Sequence, residues 1–169
     1  MADRAEYIKK AKVKYNAYHT GEWIKAGFDE HSGGYVIYHN DHQFDPTIGK
    51  FGIPRSDYEK NSSQVLSKHG MNVVLKSEKQ NCNNEYYDGF LNGVPFEIKG
   101  IEVMNNRIIK DKIAEASRQK AEIVVLYFHD KVLFNRDFVL NGYIKYLNNS
   151  KSKRVKTVYC VVEKHLYKI

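Results

Sequence analysis

The chain is poor in cysteine, with only Cys82 and Cys160 among 169 residues. Two thiols so far apart in sequence exclude a disulfide framework and a thiolate zinc site, and they read as plain thiols. Long apolar runs are also missing. Nothing approaches the ~20 residues of a membrane-crossing helix, and the opening Met-Ala-Asp-Arg-Ala-Glu lacks the apolar stretch of a secretory signal. The expectation is a soluble chain with no membrane partner. No internal repeat and no low-complexity tract is present. Acidic residues are outnumbered, 20 against 27 Lys and Arg, leaving a net charge of +7. That balance favours a polyanionic partner, although many basic proteins bind no nucleic acid.

The hydrophobic fraction of 42% suffices for a core, and the length suits one domain with a small N-terminal appendage. The informative stretch is Tyr-Tyr-Asp-Gly-Phe-Leu-Asn-Gly-Val-Pro-Phe-Glu-Ile-Lys, starting at Tyr86. Asn92-Gly93 is the dipeptide best suited to a two-residue type I′ hairpin turn, because both positions need positive φ. With Leu91 opposite Val94, Phe90 meets Pro95, Gly89 meets Phe96, and Asp88 stands opposite Glu97. Lys99 shares the face of both carboxylates, while Leu91, Val94, Phe96 and Ile98 turn to the other face as core candidates. Like charges opposite one another destabilise a ladder. A divalent cation such as Mg²⁺ or Mn²⁺ resolves the conflict, since it takes oxygen ligands from one or two carboxylates and keeps positions for water and phosphate. An adjacent lysine then helps orient the attacking water or steadies charge on the phosphate. A hairpin with a merely solvated charged face has the same spacing.

Elsewhere, residues 3–20 repeat Ile8, Ala11, Tyr15 and Tyr18 at helical spacing among Lys9, Lys10, Lys12 and Lys14, which predicts a basic amphipathic helix. Its lysines form either a solvated outer face or a phosphate contact. Residues 22–45 suggest a short hairpin or an edge strand with a loop, turning at Ser32-Gly33-Gly34. This segment carries His31, His39 and His42. His39 and His42 are candidates for a shared metal or for RNA contact, or are ordinary loop histidines. A helix over 56–69 stops at Gly70, and Glu59 in it has two readings. Ser56-x-x-Glu59 is a capping box, yet Glu59 also shares an azimuth with Leu66 and so faces the sheet. A strand over 71–75 and a polar loop over 76–84 lead into the hairpin. After it come a helix over 106–120, an apolar strand over 123–128, a helix over 137–148, the basic run 151–156 and a strand over 158–162. The basic run, with Lys151, Lys153 and Arg154, is either solvated or in contact with phosphate.

Asp88, then the turn, then Glu97-Ile98-Lys99 resembles the signature of the PD-(D/E)XK nuclease superfamily, with Tyr87 in place of the signature's proline. The predicted order of helix, strand, two-strand hairpin, helix and strand is also that superfamily's core order. The resemblance implies an α/β (α+β) fold with a restriction-endonuclease-like core and a mixed central sheet flanked by helices, over residues 51–169. Residues 1–50 form a helix and hairpin extension outside it. It further implies a metal site of Asp88, Glu97 and Glu59 with Lys99 assisting the water. Gln119 and Lys120 then match the polar residue placed beside the active site, although a C-terminal helix position suits Lys120 equally. The run 57–128 is similar to the C-terminal toxin domains of contact-dependent growth inhibition and of phage-associated polymorphic toxins, several of which are tRNA nucleases. This likeness implies tRNA as substrate in preference to DNA, an immunity protein as partner, and action in the cytoplasm of a competing bacterium after delivery in a larger secreted or phage-borne protein. A DNA endonuclease of restriction or repair type and a non-catalytic nucleic-acid-binding module are the alternatives.

Overall fold

A computed structural model describes residues 3–77, 79 and 86–169. Cys82 and most of the polar loop expected over 76–84 lie outside the described residues. The elements are α1 (Arg4–Ala17), β1 (Trp23–Phe28), β2 (Tyr35–His39), α2 (Ser56–Lys68), β3 (Asn72–Leu75), β4 (Gly89–Leu91), β5 (Val94–Ile101), α3 (Asn106–Arg118), β6 (Ile123–Phe128), α4 (Arg136–Asn149), β7 (Thr157–Val162) and β8 (His165–Lys168). Asp3, Asn105 and Asn135 begin α1, α3 and α4, each accepting a backbone N–H of the first turn on its side-chain oxygen. Among the described residues no helix is long and apolar enough to cross a membrane.

The eight strands of the described residues join one mixed sheet in sequence order. The β1–β2 hairpin is antiparallel, and β2 runs parallel to β3. Strands β3, β4 and β5 form an antiparallel meander, β5, β6 and β7 are parallel to one another, and β8 returns antiparallel. The class is thus mixed α/β, of the α+β kind. The expected N-terminal helix and hairpin are present, and because β2 hydrogen-bonds along β3 the sheet continues unbroken across residue 50.

Period-two alternation sorts the sheet's side chains to two faces. On one face Val73, Leu75, Leu91, Phe96 and Ile98 pack beneath Tyr58, Val65 and Leu66 of α2. On the other, Val124, Leu126, Phe128, Val158 and Cys160 pack beneath Ile109, Ile113 and Ala116 of α3 and Val139 and Tyr146 of α4. Each large apolar side chain fully buried here contributes about 1.5–3 kcal/mol relative to exposure. Helix α1 lies over β1 and β2 with the four expected positions turned inward. Ala11 is buried, Ile8, Tyr15 and Tyr18 are half-buried, and the lysines between them are exposed. The Tyr15 ring sits 5.5 Å from Phe28 and 5.6 Å from Tyr35, so aromatic contacts help to dock the helix.

Candidate active site

Asn92 and Gly93 have φ of 51° and 82°, as a type I′ turn needs. The register is the one the turn dictates, with Leu91 opposite Val94, Phe90 opposite Pro95 and Gly89 opposite Phe96. Strand β4 has three residues and β5 has eight, so beyond the Gly89 pair the edge of β5 has no ladder partner on that side. Side chains close the gap. The Asp88 N–H donates to Oε2 of Glu97 (2.9 Å), and the Ile98 N–H donates to Oδ2 of Asp88 (2.7 Å). Each carboxylate thereby satisfies a backbone donor that the ladder would otherwise have used.

Lys99 follows on the same face, donating to Oε1 of Glu97 (2.7 Å) and to Oε1 of Glu115 on α3 (3.0 Å). Glu97 is 4% exposed. Burial raises the Asp88 carboxyl well above the aspartate range, and the charges of Glu97 and Glu59 push it further. Burial also raises Glu97, although Lys99 opposes it. Burial alone would lower Lys99, but Glu97 and Glu115 outweigh it and raise the ammonium. Burial likewise opposes ionisation of Glu115, yet Lys99 and Lys112 prevail and lower it.

Glu59 approaches from α2. The cap position there is Arg55, and no side chain caps the helix start, so Glu59 is not spent on a capping box. Its Oε2 instead lies 2.9 Å from Nε2 of His42, whose Nδ1 is 2.8 Å from the Lys76 carbonyl oxygen. A carbonyl only accepts, so Nδ1 carries a proton, and the Glu59 contact requires another on Nε2 or on the carboxyl. His39 points elsewhere: its ring stands edge-on to Trp23 at 5.1 Å and its Nδ1 accepts the Asp41 N–H. The two histidines do not share a ligand.

Asp88, Glu97, Lys99, Glu59 and Glu115 line a cleft of about 520 Å³ with Asp45, Arg55, Tyr58, Glu102 and Lys112 among its other walls. Tyr58 stacks on Tyr127 at 5.1 Å and donates to Glu102 (3.1 Å); burial, helped by Glu102, pushes its phenol to about 12. Gln119 is not in this cleft. It forms the C-cap of α3 with its amide 3.5 Å from the Tyr86 carbonyl oxygen. Glu115, on the same flank one turn earlier, occupies the place expected of it. Lys120 follows the helix with φ of 68° and lines no wall of the cleft. Lys151, Lys153 and Arg154 are exposed in the loop before β7, which is pinned where the Lys156 N–H donates to the Glu122 carbonyl oxygen, and they line no wall of the cleft. His31 is exposed on the β1–β2 turn.

The described residues contain no group of three or more Asp, Glu, His or Cys side chains already closed around one point. The donor set nevertheless fits a hard divalent cation. The cleft is lined by six carboxylates, of Asp45, Glu59, Asp88, Glu97, Glu102 and Glu115, against three cations, Arg55, Lys99 and Lys112. Among the described residues no cation pairs with Asp88, which buried charge requires. All the donors are oxygens, the preference of Mg²⁺ and Mn²⁺. In comparisons with known proteins, no protein-family model, curated protein or solved structure matches the chain.

Proposed function

We propose that this chain is a divalent-cation-dependent phosphodiesterase acting on nucleic acid, with Asp88, Glu97 and Glu59 as the cation's ligands. Within that class we favour a tRNA-cleaving bacterial toxin domain of the PD-(D/E)XK kind, acting in a target cell's cytoplasm and held in check by an immunity protein. The observation that carries the reading is the pairing of Asp88 with Glu97 at the fork where β4 ends. A buried Glu97 and a half-buried Asp88 that repel each other, with the neighbouring lysine committed to Glu97 and Glu115, are costly as structure and useful as ligands. The helix, antiparallel three-strand meander, helix and parallel strand from α2 to β6 support the superfamily resemblance in topology.

A bound divalent cation would polarise a phosphoryl oxygen and supply Lewis-acid stabilisation of its charge. Water adds to phosphorus as the P–O bond to the leaving oxygen breaks. The Lys99 ammonium, held by Glu97 and Glu115, is aimed to stabilise the charge that builds on the phosphate. His42 fixes the orientation of Glu59. A binding module of the same shape has no need of Asp88 against Glu97, which disfavours that alternative.

Incubation of the chain with total tRNA and with plasmid, with and without EDTA, tests the reading. The expected outcome is cleavage of tRNA that EDTA abolishes, with ends that lack a cyclic phosphate. Products with 2′,3′-cyclic phosphate formed equally well in EDTA would overturn it, and cleavage of plasmid alone would move the assignment to a DNA endonuclease. Lys99→Ala should leave cation affinity in place and lower kcat by roughly 10²–10³.

A further inference from the structure

The sheet face that carries Asp88 and Glu97 also carries Phe90, Val74 and Asn72 by alternation and register. Helix α1 covers this face at one side and α3 at the other. Between them, over β3 and β4, lies a groove of about 590 Å³ lined by Tyr7, Lys14, Tyr18, Val74, Phe90 and Asn92. It runs into a second depression of about 430 Å³ that adds Lys9 and Lys10 and shares Tyr7, Lys14 and Asn72. Nothing in the phosphodiesterase reading uses either.

We infer that this groove holds a single strand of nucleic acid, the stretch of substrate that flanks the phosphate in the cleft. This rests on the phosphodiesterase reading for the position of the reacting phosphate. Three observations select that occupant. The walls offer rings, of which Tyr7 is 43% exposed and Tyr18 and Phe90 partly so. Rings of this kind stack on unpaired bases, whereas a duplex buries its base faces in its own stack. The rim offers cations. Helix α1 has Arg4, Lys9, Lys10, Lys12 and Lys14 against Glu6 alone, and Lys14 has no ion-pair or hydrogen-bond partner among the described residues. The cleft, with its excess of carboxylates, repels a polyanion, so attraction for the backbone has to come from elsewhere on the surface. The groove also lies on the sheet face of the chemistry, because Phe90 in its wall is two residues from Asp88 in the cleft and shares that face. A purely solvated lysine face would have no aromatic floor beside it.

The test uses the full chain in EDTA, so that binding is read without cleavage, and fluorescence anisotropy of a labelled twelve-residue oligouridylate. The single strand should bind at least tenfold more tightly than the same strand annealed to oligoadenylate. Phe90→Leu and Tyr18→Leu, which keep apolar bulk but remove the ring, should each weaken single-strand binding about fivefold or more. Lys14→Glu, on an exposed position, should weaken it and reduce the salt dependence by about one ion. Unchanged affinity in all three variants, or duplex bound as tightly as single strand, overturns the inference. Hydrolysis of bis(p-nitrophenyl) phosphate with Mn²⁺, an ester too small to reach the groove, separates the two readings. The variants should retain it, and its loss in all three would assign these residues to the fold or the cleft. If the native chain hydrolyses neither this ester nor tRNA while the variants still lose binding, the groove stands and the phosphodiesterase reading falls.

Discussion

Asp88, Glu97 and Lys99 were legible from residue types alone because a two-residue turn leaves no freedom in register. Glu115 was not. Residues 108, 112, 115 and 119 share one flank of α3, and sequence supplies the flank but not the turn that reaches Lys99, so Gln119 was favoured a turn too late. His42 was singled out with His39 for a shared metal or for RNA contact and not as a partner of Glu59, because no spacing rule joins a loop at 42 to a helix at 59. Both of its ring nitrogens lie within hydrogen-bond distance of an oxygen, one of them of Glu59. His42→Ala should release Glu59 and weaken Mn²⁺ binding by about tenfold, in the range of lost outer-shell contacts to metal ligands. His42→Gln, which keeps a donor, should restore part of the affinity. Titration calorimetry on the two variants checks this, and equal affinity for Mn²⁺ in His42→Ala and native protein would remove His42 from the site.

At the scale of elements, strong periodicity and strong punctuation were sufficient. The helices and the strands β3 to β7 all lie within a few residues of where apolar spacing, Gly70 and the Asn92-Gly93 turn place them. Strand β8 went unseen because its hairpin turns at Glu163, with φ of 55°, and Lys164, where no glycine or asparagine signals a turn. The short β4 was legible only through its partner. Two glycines of that hairpin separate conformational cost from steric cost. A Cβ at Gly93 would meet nothing within 4 Å, but φ of 82° strains any L side chain, so Gly93→Ala should cost about 1 kcal/mol. A Cβ at Gly89 would lie 2.0 Å from the Val74 carbonyl oxygen. Gly89→Ala must part β3 from β4 and should cost roughly 3 kcal/mol or more. Urea unfolding of the two variants gives the comparison. A smaller loss for Gly89→Ala than for Gly93→Ala would contradict the close approach of the strands.

At the scale of the whole molecule, charge is divided between a cation-rich helix at one end of the sheet and a carboxylate-lined cleft at the fork, and stability depends on pH through that division. Asp88 and Glu97 both have folded pKa values raised above their ordinary 3.8 and 4.5. The native state therefore binds more protons than the unfolded chain as pH rises from that range. Their contribution to stability is fully present below the ordinary values and is lost as pH climbs through the raised ones. Glu115 and Asp29, whose pKa values are lowered, act in the opposite direction: their contribution is present above their ordinary values and is lost as pH falls through the lowered ones. Comparison of native protein with Asp88→Asn isolates one carboxyl from this sum. In EDTA near neutral pH, Asp88→Asn should be the more stable protein by about 1–2 kcal/mol, which is a Tm higher by about 2–8 °C at this chain length. The advantage should vanish as the pH is lowered toward 4, where the native carboxyl is protonated as well. Saturating Mn²⁺ should reverse the order, because the cation stabilises only the protein that keeps the ligand, by RT ln(1 + [L]/Kd). Thermal melts of both proteins at several pH values, with EDTA and with Mn²⁺, read all three outcomes. An Asp88→Asn protein less stable than native in EDTA at neutral pH would mean that the carboxylate is held for structure and not for a cation.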